Sequence, residues 1–153
     1  MRHAKPISCL LLLLWVGPTL AVIDSNESYV CLSEASTGFK LNELTKTWES
    51  ATFSTRQKYI IKRLTWSEKA AEEELGGRAS EWQVMKVGVD ISVAKCRDDF
   101  SRAGMLFCRG SQDFRFSKKT LRFLSVYFFG YLVDGPSHRD TPFMELGVCD
   151  KIQ

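Results

Sequence analysis

The sequence predicts an α+β domain: an antiparallel β-sheet of about four to five strands wrapped around one α-helix, held by two disulfides. Three observations carry that prediction. The run Arg122–Gly135, RFLSVYFFGYLVDG, is apolar on both alternating faces and rich in β-formers, and so reads as a central strand covered on both sides. Trp82–Val93 alternates, with Met85, Val87, Val89, Ile91 and Val93 set against Lys86, Gly88, Asp90 and Ser92, as expected of a half-buried antiparallel strand. The strand-like segments also follow one another without crossover helices, and only one segment before them has a helical period.

The chain of 153 residues opens with a basic head (Arg2, His3, Lys5), an apolar run from Ile7 to Val16, and small residues at Thr19 and Ala21. This is the layout of a secretory signal peptide over 1–21, cleaved after Ala21, leaving 22–153 as one exported domain. Nothing later is long and apolar enough to predict a membrane span. Asn26-Glu27-Ser28 is an N-glycosylation sequon in the arm that precedes Cys31.

Over Thr37–Ala51, Leu41, Leu44, Trp48 and Ala51 fall at helical spacing, so the one long helix is expected there, with Trp48 and the leucines covering the sheet. Gln57–Trp66 is β-branched and aromatic and predicts a strand. Ser67 then suits an N-cap, Glu68 a first turn, and Gly76-Gly77 a stop, so a short helix is expected inside a long connection. After Trp82–Val93, Cys96 and Cys108 bracket a polar loop. The basic residues Arg102, Arg109, Arg115, Lys118 and Lys119 are expected to form a solvated strand face, or a heparin-binding or other anionic-surface patch. Asp134-Gly135-Pro136-Ser137 is turn chemistry, and Thr141–Val148 is a last strand tied down by Cys149.

Loss of Arg2 and Lys5 takes the basic count from 21 to 19 against 18 acids, a balance that gives no footprint for nucleic acid. Four cysteines remain after the leader and allow three pairings; a Cys96–Cys108 bridge would close a small loop. There is no CxxC, and His138 is the sole histidine outside the leader, so no metal site, cofactor or catalytic pair is predicted. The expected mode of action is docking, not enzymatic turnover.

With the chain laid out, KCRDDFSRAGMLFC, RFLSVYFFGYLVDG and FMELGVCDK resemble the first disulfide loop, the penultimate strand and the terminal strand of the secreted cystatins. The resemblance implies a Cys96–Cys108 bridge. The family's partner for its last cysteine falls at Leu124, so Cys31–Cys149 is the candidate replacement. It also implies a wedge that plugs papain-like cysteine proteases. The matching loops here are Glu73-Glu74-Leu75-Gly76-Gly77, with Glu73 in place of the family's glutamine, and Leu132-Val133-Asp134-Gly135. Gln83–Gly88 is a rival match to the first loop. The arm lacks the family's glycine. A carboxylate such as Glu73 at a wedge tip costs affinity if it is desolvated without a partner. A non-inhibitory binding module that takes another extracellular protein is therefore the alternative reading, and a disulfide-bonded helical cytokine a further one.

Overall fold

The computed structural model describes residues 27–89, 91–132 and 141–152. It corrects the expected fold class: the domain is a closed, eight-stranded antiparallel β-barrel, not a sheet wrapped around a helix. In chain order the elements are β1 (Ser28–Asn42), β2 (Thr47–Thr52), β3 (Lys58–Arg63), α1 (Trp66–Glu74), β4 (Trp82–Lys86), β5 (Ser92–Cys96), β6 (Met105–Gly110), β7 (Asp113–Ser117), β8 (Arg122–Tyr127), α2 (Phe129–Leu132) and β9 (Phe143–Ile152). Each strand pairs with the next around the ring, and β1 closes it by pairing with β9. β2 and β3 succeed one another along a single edge of β1, so nine strands occupy eight places.

The predicted helix over Thr37–Ala51 is the β1–β2 hairpin. Leu41 and Trp48 do share a face, but as directly opposed cross-strand partners. Leu44 caps nothing and is 95% exposed at the turn. Asn42 decides the local geometry: its Oδ1 accepts from the amides of Leu44 and Thr45 at 3.0 and 3.3 Å, and its Nδ2 donates to Glu49 at 2.8 Å. An Asx turn flanked by Phe39 and Trp48 competes successfully with a helix.

Three further expectations are corrected. Trp82–Val93 is not one strand but two, β4 and β5, joined by a turn that uses Gly88 at φ 85°. Its buried residues are Trp82, Val84 and Val93, while Val87, Val89 and Ile91 project from the turn. The Arg122–Gly135 run is not a strand covered on both sides: β8 ends at Tyr127, its inner face is buried and its outer face is only half-buried. The helix after β3 is capped by Thr65, not Ser67. The Thr65 hydroxyl accepts from the Glu68 amide, and the Glu68 carboxylate accepts from the Thr65 amide.

α1 buries none of its residues, so it cannot serve as the lid of a sheet. The apolar face is buried only by curling onto itself, and eight strands enclose a space that side chains just fill. Tyr29, Tyr59, Ile61, Trp82, Val84, Leu106, Phe114 and Phe116 are all at most 1% exposed. Phe114 stacks on Phe123 at 5.0 Å, and Tyr59 meets both rings edge-on. Phe100 plugs the α1 end against Trp82 and Phe116. There Arg63 lies 5.0 Å over the Trp82 ring and pairs with Glu81 and Asp99, while the Trp82 indole donates to Asp99 at 2.9 Å.

At the seam Gly147 faces Leu32 and Phe123 so closely that an added Cβ would sit 2.0 Å from the Leu32 carbonyl oxygen. Cys31 is bonded to Cys149 across this seam, and Cys96 to Cys108 across β5–β6. The first bridge spans 118 residues of sequence and the second 12. Loop-closure entropy then predicts about 4–5 kcal/mol of stabilisation for Cys31–Cys149 and about 3 for Cys96–Cys108. Denaturant unfolding of C31S/C149S and C96S/C108S should show the seam variant as the less stable; the reverse order would remove this account of the seam.

Acid should loosen the α1 end. Hydrogen bonding to Lys62, then to the Thr65 amide, holds the Glu68 carboxyl at about 2, below its ordinary 4.5. Burial pushes Asp99 up, but hydrogen bonds from Trp82, the Phe100 amide and Arg63 outweigh it and the net shift is downward. A depressed folded-state value adds stability that is complete above the unfolded value and is lost as pH falls through the folded one. Stability should therefore decline from about pH 4.5 towards about pH 2. K62M should flatten that acid limb; an unchanged limb would contradict the assignment.

Candidate functional site

A buried carboxylate is the first place to look for chemistry. Glu145 on β9 is 1% exposed inside the barrel. It accepts a hydrogen bond from the Tyr59 hydroxyl at 2.6 Å and another from Ser33. Ser125 beside it donates to Gln112 at 2.7 Å. Burial first, and then the hydrogen bond to Glu145, hold the Tyr59 phenol well above its ordinary range. Every polar side-chain atom buried among the described residues has a partner. The layer is closed and internally satisfied; Glu145 crosslinks β1, β3 and β9, and Ser125 ties β8 to Gln112. E145A should strand Tyr59 and Ser33 and cost about 2–4 kcal/mol. E145A/Y59F should recover part of that loss in a double-mutant cycle, and strict additivity would break the proposed coupling.

The accessible features lie outside the lumen. In an antiparallel meander successive connections alternate between the two ends. The β1–β2 turn and the β8–β9 connection therefore share one end, and α1 and the 97–104 loop share the other. At the first end is a groove of about 490 Å³ lined by Phe39, Trp48, Phe128, Tyr131, Leu132 and Pro142. Phe39 comes from β1 and Trp48 from β2, on the outward face that strand alternation gives both. α2 leans over them, with Tyr131 edge-on to Trp48 at 5.6 Å. Phe128 stacks on Phe129 at 5.0 Å, and Tyr127 on Phe143 at 5.6 Å. Tyr131 and Leu132 remain 63% and 66% exposed.

On the same side of β8 and β9 the barrel wall carries a strip of outward apolar side chains, bordered by Arg115 opposite Leu124 and by Arg122 opposite Val148. Register places Leu124 opposite Leu146 and Val126 opposite Met144 between β8 and β9. On the other side of β9, Val148 lies opposite Leu32 and Leu146 opposite Ala35. Met144, Leu146, Val148 and Leu32 are each 36–44% exposed. An exposed apolar surface of this kind marks an interaction site.

The two loops expected to form one wedge are not brought together. Glu73 lies on α1, Leu75 is its C-cap and is 90% exposed, and Gly76 follows at φ 83°. Leu132 is at the opposite end, in the apolar groove. Leu75 and Gly77 instead border a different groove, of about 770 Å³, beside β5 and β6. Val133, Asp134 and Gly135 lie outside the described residues, as do the 1–21 leader and Asn26. Gln83–Gly88, the rival match, spans β4 and the start of its turn. Phe39, Trp48, Phe128, Tyr131 and Pro142 went unrecognised as site residues because Phe39 and Trp48 fell in the expected helix, Phe128 and Tyr131 in the expected strand Arg122–Gly135, and Pro142 in the expected strand Thr141–Val148. The density of aromatic residues at 39, 48 and 127–131 was the available signal.

Among the described residues no group of three or more His, Cys, Asp or Glu is placed to hold a metal ion, and no helix is long and apolar enough to cross a membrane. No known protein family, curated protein or solved structure matches this chain.

Proposed function

We propose that this chain is an exported binding protein that grips another extracellular protein through the apolar groove at the hairpin end, without covalent chemistry. The observation that carries the reading is the groove of about 490 Å³, walled by six apolar or aromatic residues, with outward apolar side chains of β8, β9 and β1 on the neighbouring barrel wall. Its volume and lining suit a buried aromatic or aliphatic anchor, the kind of contact that dominates protein interfaces. The strip beyond would cover an apolar strand or loop of the same partner. The lumen, filled by its own side chains, offers a small molecule little room. Two disulfides fit an extracellular protein. A papain-like protease remains a candidate partner only if it docks at this groove, because Leu132 and the Glu73–Gly77 segment lie at opposite ends of the barrel.

The test uses W48S/L132S, which alters exposed or half-buried positions, against wild type. A partner cross-linked at the groove should bind wild type and lose at least about tenfold in affinity for the variant when both proteins are purified. The variant should also bind less of an environment-sensitive apolar dye, with an unchanged circular dichroism spectrum. Equal affinity of the two proteins for the partner would overturn the reading. So would tight inhibition of papain that W48S/L132S leaves intact.

A further inference from the structure

The second groove has the opposite chemistry. It runs along the flank of the barrel near the α1 end, with a volume of about 770 Å³, between the end of α1 and the outer faces of β5 and β6. Four cations border it, Arg78, Lys95, Arg97 and Arg109, against two carboxylates, Glu72 and Asp98. Both carboxylates are already engaged. Glu72 pairs with Lys95 and accepts from the Ser80 amide at 2.7 Å, and Asp98 pairs with Arg78 at 3.1 Å. Arg97 and Arg109 have no carboxylate partner among the described residues.

Their placement is costly in the free protein. Lys95 and Arg109 are directly opposed across β5–β6, and like charges so placed repel. Glu72 relieves Lys95 but not Arg109. Arg97, just past the end of β5, and the half-exposed Phe107 of β6 line the same groove, and Arg115 lies 5.9 Å over the Phe107 ring. Two cations without a carboxylate partner, Arg97 and Arg109, beside an exposed aromatic ring are a local surplus among the described residues, in a chain whose overall charge is only +3.

We propose that this groove binds a sulfated extracellular polysaccharide. Sulfates would neutralise Arg97 and Arg109 and release their counterions. The Phe107 ring would take the apolar face of a sugar. A concave groove on a barrel wall admits a linear chain more readily than a flat bilayer. This site is separate from the apolar groove and does not depend on the docking proposed there.

The test compares the full exported chain with R97S/R109S and with a charge-matched control, K40S/K46S, altered in the β1–β2 hairpin. The probe is a heparin-derived octasaccharide, with a salt-gradient heparin column beside a sulfopropyl column. Wild type should elute later from heparin than from sulfopropyl resin. R97S/R109S should lose about tenfold or more in octasaccharide affinity, and its log affinity should fall less steeply with log salt, by a slope difference of about two. K40S/K46S should match wild type. F107S should weaken binding and leave the salt slope unchanged. The proposal is overturned if heparin and sulfopropyl elution coincide, if K40S/K46S loses as much as R97S/R109S, or if single-stranded DNA or phosphatidylserine vesicles bind more tightly than the octasaccharide. W48S/L132S should bind the octasaccharide as wild type does, which separates failure here from failure of the protein-docking reading.

Discussion

The fold rests on a sheet with a strongly apolar face and no helix able to cover it. α1 lies against the barrel through ion pairs such as Lys69–Glu81 and Lys62–Glu68, and buries none of its own residues. The inner faces of Tyr29, Tyr59, Trp82, Phe114, Phe116 and Phe123 can leave water only by facing one another. Closure requires one strand to be bonded on both edges, and β1 is long enough for this: 15 residues, paired with β2 and β3 on one side and β9 on the other. A register shift between Ser33 and Ala35 lets it bend around the ring. The seam is then fastened by Cys31–Cys149 and made tight by Gly147, where no side chain would fit.

Closure also decides where function can reside. Aromatic rings and the two disulfides fill the lumen towards the α1 end, and the Ser33–Glu145–Tyr59 layer crosslinks three strands within it. A buried carboxylate with both oxygens occupied is a structural tie, and removing one member costs far more than the net strength of its bonds. The barrel therefore behaves as a rigid post, and its distinctive surfaces are the ones that closure leaves outside.

Part of this was legible in the residues. Strands within the expected Gln57–Trp66, Trp82–Val93, Arg122–Gly135 and Thr141–Val148, the short helix ended near Gly76-Gly77, and the antiparallel meander all follow from period and turn chemistry, although each strand's bounds differ from those expected. The hairpin at Thr37–Ala51 was misread because Leu41, Leu44 and Trp48 satisfy a helical period by accident; the Asn42 side chain and the β-forming Thr, Phe and Trp residues carried the contrary signal. β6 and β7 were hidden by their brevity and by basic outward residues. Leu106, Cys108, Phe114 and Phe116 alternate correctly, but Arg109 and Arg115 between them drew the reading to a solvated face or an anionic-surface patch and away from two separate strands. Closure itself is a long-range event: β1–β9 contact joins the two ends of the chain, and no local pattern encodes it. The groove was illegible for the same reason, since Trp48 and Tyr131 meet only once the ring is shut.

The parity of a meander links these corrections to function. Because each strand reverses direction, a loop after an odd-numbered place and one after an even-numbered place cannot share a rim. The Glu73–Gly77 segment follows the second place in the ring, and Leu132 follows the seventh, so a single wedge built from both is excluded by topology before any affinity is considered. Each segment does border a groove, yet the two differ in kind. Leu132 belongs to an uncharged, aromatic one, and Leu75 with Gly77 to a cationic one. Apolar burial holds a partner with little salt dependence, whereas arginine–sulfate contacts weaken as ionic strength rises. The apolar groove at the hairpin end and the cationic groove on the flank near the α1 end are separated by the closed core, so the two proposed contacts would not compete for the same surface.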